Sequence, residues 1–86
     1  MYKLHLSKRA LKDLELLKRT GLSKKAIELR EILRINPFQN PPPYEKIYDM
    51  ANNMYSRRIN IQHRLVYQVF TAEKTVLIHR MWSHYE

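Results

Sequence analysis

The chain contains no cysteine, which removes disulfides and thiolate metal sites at once and favours a cytoplasmic home. A single glycine, Gly21, is present, so no glycine-rich loop can cradle a phosphate. No run of about 18 apolar residues is available to span a bilayer. The opening stretch, Met1 to Ala10, alternates polar and apolar residues without the apolar centre of a signal peptide, and secretion is not expected. Acidic residues are also scarce, eight against sixteen lysines and arginines, which leaves a net charge of +8 and a pI near 10.0. Such a surface attracts polyanions, RNA or DNA above all, although a membrane surface or an acidic protein would satisfy the same charge.

What is present suffices for a folded domain. Hydrophobic residues make up 44% of the chain, well above the range of disordered segments. Eighty-six residues make one domain, 1–86, small enough that roughly a third of the unfolded chain's surface stays exposed on folding, so a partner can add to its stability.

Tyr2 to Leu6 places Tyr2, Leu4 and Leu6 on one face and Lys3 and His5 on the other, the period of a half-buried strand. Ser7 is then a plausible N-cap for a first helix, with Leu11, Leu14 and Leu16 or Leu17 at helical spacing and Gly21 as its left-handed stop. Ser23 can cap a second helix, in which Leu22, Ala26, Leu29 and Leu33 form one stripe and Asn36-Pro37 enforces the end. Ten of the sixteen basic residues precede Pro37, and they read either as a solvated face or as a second nucleic-acid surface. Pro37 to Pro43 is expected to be a stiff, extended connector. Extended segments follow around Tyr44 to Tyr48, Met54 to Ile61, Leu65 to Phe70 and Thr75 to Trp82, with turns at Asp49 to Asn53 and Thr71 to Lys74 and a turn or bulge at Asn60 to His63. The expectation is an α+β fold in β-α-α-β-β-β order: a small antiparallel sheet, both N-terminal helices on one face, the other face free for a ligand.

Chemistry concentrates in the stretch from Tyr55 to Tyr67, which carries Arg57, Arg58 and Arg64, and in the closing Trp82-Ser83-His84-Tyr85. His5, His63, His79 and His84 are scattered and lack the spacing of a metal site, and Ser56 and Ser83 lack the surroundings of a nucleophile. Glu45, Arg58, Arg64, His84 and Tyr85 are residue types that together can cleave RNA through its ribose 2′-hydroxyl, with a base, a charge clamp and an acid. On the residues alone this is one arrangement among several. Taken singly, Glu45 and His84 read more often as solvated side chains, and Arg58 and Arg64 read equally as partners of Asp49 or Glu73. Tyr55, Tyr67 and Trp82 read as core aromatics or as stacking platforms for bases.

Tyr55-Ser-Arg-Arg-Ile-Asn, His63-Arg-Leu-Val-Tyr and the closing Trp82-Ser-His-Tyr resemble the signature blocks of the YoeB/Txe toxins of bacterial toxin-antitoxin systems, within the RelE-like superfamily. Asn36-Pro37-Phe38 is similar to that family's helix-ending triplet. The resemblance implies a microbial-ribonuclease-like fold and a ribosome-dependent messenger RNA interferase that cuts the A-site codon to a 2′,3′-cyclic phosphate without a metal or other cofactor. It implies Glu45 as general base, Arg64 as stabiliser of the phosphorane, His84 as general acid, Arg58 as a phosphate contact and Tyr85 as an orienting group. Arg57 is a further candidate for contact with substrate or ribosomal RNA. Neighbouring strand residues point to opposite faces, so only one of the arginine pair can line the cleft, and Arg58 is preferred. The chain departs from some members at Gln62, where they carry glutamate, and at Glu86, beyond the usual end. Carboxylates near His84 should raise its imidazole pKa. An unchanged pH profile of cleavage after deletion of Glu86 would sink that expectation.

The resemblance also implies partners: messenger RNA and the ribosome, an acidic YefM/Axe/Phd-like antitoxin that covers the basic cleft, and operator DNA only through the antitoxin complex. A homodimer is compatible with it, and no membrane is involved. Two rival readings share the fold: a non-catalytic translation blocker or co-repressor that would tolerate alanine at Glu45 or His84, and a ParE-like gyrase inhibitor that would not need the His84-Tyr85 pair.

Overall fold

The computed structural model describes residues 1–48 and 52–82. Asp49, expected in a turn, the site candidates His84 and Tyr85, and Glu86 lie outside the described residues.

The chain begins with β1 (Lys3–Leu6), followed by α1 (Lys8–Arg19) and α2 (Ser23–Ile35). Ser7 caps α1, its side chain accepting from the Ala10 amide at 3.0 Å while its hydroxyl donates to the His79 carbonyl at 2.8 Å. Gly21, at φ +77°, ends α1 in a Schellman turn, in which its amide reaches the Lys18 carbonyl and the Leu22 amide the Leu17 carbonyl. Helix α2 starts at Ser23 itself, with Leu22 in the cap position and no side-chain cap, because the Schellman turn already sets the chain's entry angle. Its buried stripe is Ala26, Leu29 and Leu33, as the spacing predicts. The stripe of α1 is instead Ala10, Asp13 and Leu17, with Leu11 half exposed. Ala10 is small enough for the close approach of the sheet, which turns the helix away from the leucine-only phase.

The remaining strands are β2 (Glu45–Lys46), β3 (Met54–Arg58), β4 (Arg64–Phe70) and β5 (Thr75–Arg80). They form one five-stranded sheet in the order β1-β5-β4-β3-β2. Three junctions are antiparallel, but β1 pairs with β5 in parallel, Leu4 opposite Val76 and Leu6 opposite Ile78. The expected antiparallel sheet is therefore mixed. Parallel neighbours need a long crossover, and the helices together with the β2-β3-β4 meander supply it.

The helices cover one face. Ala10, Leu17, Ala26, Leu29 and Leu33 pack there with Leu65, Tyr67, Val69, Val76 and Ile78, every one at most 2% exposed. Truncating a leucine in such a cluster costs about 2 to 5 kcal/mol. The opposite face carries a smaller cluster, Ile47, Met54 and Val66.

Candidate active site

Strand pairing places the site. Glu45 faces Ser56 across β2–β3, and Arg58 faces Arg64 across β3–β4. Paired residues share a face and side chains alternate along a strand, so Glu45, Ser56, Arg58 and Arg64 all project from the face away from the helices. With Pro43 and Tyr44 they line a pocket of about 230 Å³. Within it an Arg64 Nη donates to a Glu45 carboxylate oxygen at 3.4 Å. The Glu45 side chain is 70% exposed and that of Arg64 24%, so this long pair contributes at most about 1 kcal/mol to stability and opens easily for a ligand. Arg58 and Arg64 stand directly opposite each other, and like charges in that position oppose sheet pairing. An anion bridging the two guanidiniums relieves that repulsion.

Arg57 occupies the other face. It is 1% exposed, and its guanidinium donates to the carbonyls of Pro42 at 2.6 Å, Gln39 at 2.8 Å and Pro37 at 3.0 Å. The ring of Tyr44 lies 5.0 Å away and that of Tyr67 5.9 Å away. A side chain buried among protein carbonyls has no access to RNA, which corrects the assignment of Arg57 as a substrate contact. The Pro37–Pro43 connector is likewise corrected: it bends at Pro41-Pro42 and wraps the guanidinium rather than running straight.

Tyr67 is also buried, with its hydroxyl donating to the Pro37 carbonyl at 3.0 Å. Burial pushes its pKa up to about 12, against the opposing influence of Arg57. Tyr67 lies in the core and the half-buried Tyr55 packs against it, with ring centres 5.7 Å apart, so Tyr67 is no platform for bases.

The start of β4 and the end of β5 meet beside the pocket. Asn60 closes the β3–β4 hairpin, its side-chain oxygen accepting from the amides of Gln62 and His63. The buried His63 ring stacks on Trp82, 3.9 Å between centres at 23°. The Met81 amide donates to the Asp13 carboxylate at 2.9 Å. The last described residues are thus held from two sides, next to the strand that begins with Arg64. A bulge at Val66/Tyr67 leaves His79 as the extra residue on β5, where its Nε2 lies 3.0 Å from the Gln68 side-chain oxygen and burial lowers its pKa. Among the described residues no three histidine or carboxylate side chains converge where they could hold a metal ion, and no helix is long and apolar enough to cross a membrane. A larger groove, about 550 Å³, runs between β1 and α2, but its Glu31 and Arg34 are paired with each other.

A family model for the YoeB-like toxin of bacterial type II toxin-antitoxin systems matches residues 6–85. The chain belongs to this family. The YoeB-like toxin is similar to the YoeB/ParE toxin from Agrobacterium tumefaciens, with a TM-score of 0.85 and 29% identity over 96% of this chain and 99% of that one. It is also similar to the YoeB dimer from Staphylococcus aureus, with a TM-score of 0.82 and 29% identity over 98% of each chain. The YoeB-YefM complex from the same organism gives 0.76 and 29% over 99% of each chain. No curated protein matches in sequence.

For this YoeB-like toxin, the sequence reading missed Asp13 as a buried anchor and Arg57 as an internal one. A signal for Arg57 existed: it shares its strand phase with Tyr55 and Ile59, residues of the apolar face. Nothing local marks Asp13, whose partner lies 68 residues away.

Proposed function

We propose that this YoeB-like toxin is a ribosome-dependent messenger RNA endoribonuclease. The observation that carries the reading is the pocket that sets two facing arginines beside one exposed carboxylate. Glu45 takes the proton of a ribose 2′-hydroxyl, and that oxygen attacks the adjacent phosphorus. Arg64 and Arg58 offset the charge gathering on the phosphate oxygens. His84 gives its proton to the leaving 5′-oxygen, and the products are a 2′,3′-cyclic phosphate and a 5′-hydroxyl. Tyr85 orients the substrate. The base, the clamp and the acid are a complete set without a metal.

A cognate acidic antitoxin of YefM/Axe/Phd type is the natural partner. The relative solved as a YoeB-YefM complex supports this, and the relative solved as a dimer supports self-association. A segment rich in carboxylates that orders on binding neutralises several guanidiniums together. A target on the ribosome places the toxin in the cytoplasm.

Primer extension on a defined message tests the reading. Cleavage within the A-site codon is expected only with ribosomes, and falls about 100-fold or more in Glu45→Ala, Arg64→Ala and His84→Ala. Cleavage of free RNA, or inhibition of translation that survives all three substitutions, overturns it; the second outcome is that of an occupancy blocker.

A further inference from the structure

Pro37 to Pro43 contains all four prolines of the chain. Proline has no amide hydrogen, so this loop has few donors with which to knit itself together, and its carbonyls must find donors elsewhere. They find them on the helix-side face of the sheet: three from Arg57 and one from the Tyr67 hydroxyl. The loop leads directly into Tyr44 and Glu45. Tyr44 is fixed by the same guanidinium, 5.0 Å beneath its ring, and by Tyr55 edge-on at 5.8 Å. Strand β2 has only two residues, too few for its ladder alone to set the direction of a carboxylate.

We propose that Arg57 is a positioning residue, which fixes the Pro37–Pro43 loop from inside the fold and so places the Glu45 carboxylate against Arg64. The proposal rests on Glu45 acting as the base. The two Nη nitrogens at the ends of a rigid planar fork serve three carbonyls that converge from different directions, whereas a lysine ammonium presents a single centre and cannot reach all three. A misplacement of about 1 Å at a reacting group is worth about 100-fold in rate.

The test is a double-mutant cycle on programmed ribosomes with wild type, Arg57→Lys, Glu45→Ala and the double variant, alongside melting curves. Arg57→Lys is expected to remain folded, to lower kcat about 10- to 100-fold and to leave KM within about threefold. In the Glu45→Ala background the same substitution is expected to lower the residual rate by less than about threefold, because the residue acts through the carboxylate that is gone. Equal losses in both backgrounds, a raised KM at unchanged kcat, or a folded Arg57→Lys that cleaves like wild type overturns the proposal while leaving the nuclease reading intact. Absence of ribosomal cleavage by the wild type overturns both. Should Arg57→Lys not fold, Tyr67→Phe removes the other donor to the loop and carries the same cycle, with a smaller kcat loss expected and the same non-additivity required.

Discussion

Adjacent arginines in one strand have opposite fates because a strand turns successive side chains to opposite faces. Arg58 reaches solvent and the pocket, and Arg57 goes inside among carbonyls. Glu45 and Arg64, in the proposed reaction, serve chemistry rather than stability. Their ion pair is long and half open to water, so Glu45→Ala and Arg64→Ala should each lower ribosomal cleavage by about 100-fold or more while moving the melting temperature by less than about 4 °C. Parallel cleavage and melting measurements check this, and a large drop in melting temperature would make the pair structural. Tyr67 gives a pH prediction. Its folded pKa, about 12, lies above the ordinary 10.0, so the stability it contributes is complete below pH 10 and is lost as pH rises through about 12. Phenolate absorbance should show one of the six tyrosines ionising together with alkaline unfolding, and Tyr67→Phe should remove that step.

At the scale of elements, α1 does more than cover the sheet. Its N-cap, Ser7, donates to the His79 carbonyl at the β5 bulge, and its buried Asp13 accepts the Met81 amide where β5 ends. Both contacts join the helix to the strand that leads to Trp82. Asp13→Ala leaves the Met81 amide without its acceptor in a buried setting and should lower stability by about 1 to 3 kcal/mol. Asp13→Asn keeps a side-chain oxygen able to accept and should cost less. Urea unfolding of the two variants decides the matter, and equal losses would argue that charge, rather than the hydrogen bond, is what the site needs.

For the whole molecule, the two faces of one sheet divide the labour. The helix side holds the main core, and the bare side holds the pocket on a small satellite cluster. The net charge of +8 acts over the entire surface, and its binding to a polyphosphate releases the counterions condensed on that polyanion. Affinity for programmed ribosomes or for an acidic partner peptide should fall about tenfold or more between 50 and 200 mM salt, measured by filter binding or fluorescence anisotropy. Salt-independent binding would show that apolar contacts, not the arginines, supply the affinity.

Local order was legible because it depends on near neighbours. The Gly21 stop, the Ala26-Leu29-Leu33 stripe, the end of α2 before Pro37 and the four extended segments after Tyr44 all follow from dihedral preference and side-chain periodicity over a few residues. The family was legible through its signature blocks. Tertiary structure alone decided that β1 joins β5 in parallel, that Leu11 turns outward while Asp13 is buried, and that the proline segment folds back around Arg57. Each of these depends on a contact between residues far apart in the chain, Arg57 with Pro37 or Asp13 with Met81. Such contacts are chosen by which donors remain unsatisfied once the sheet has closed, and no local pattern carries that information.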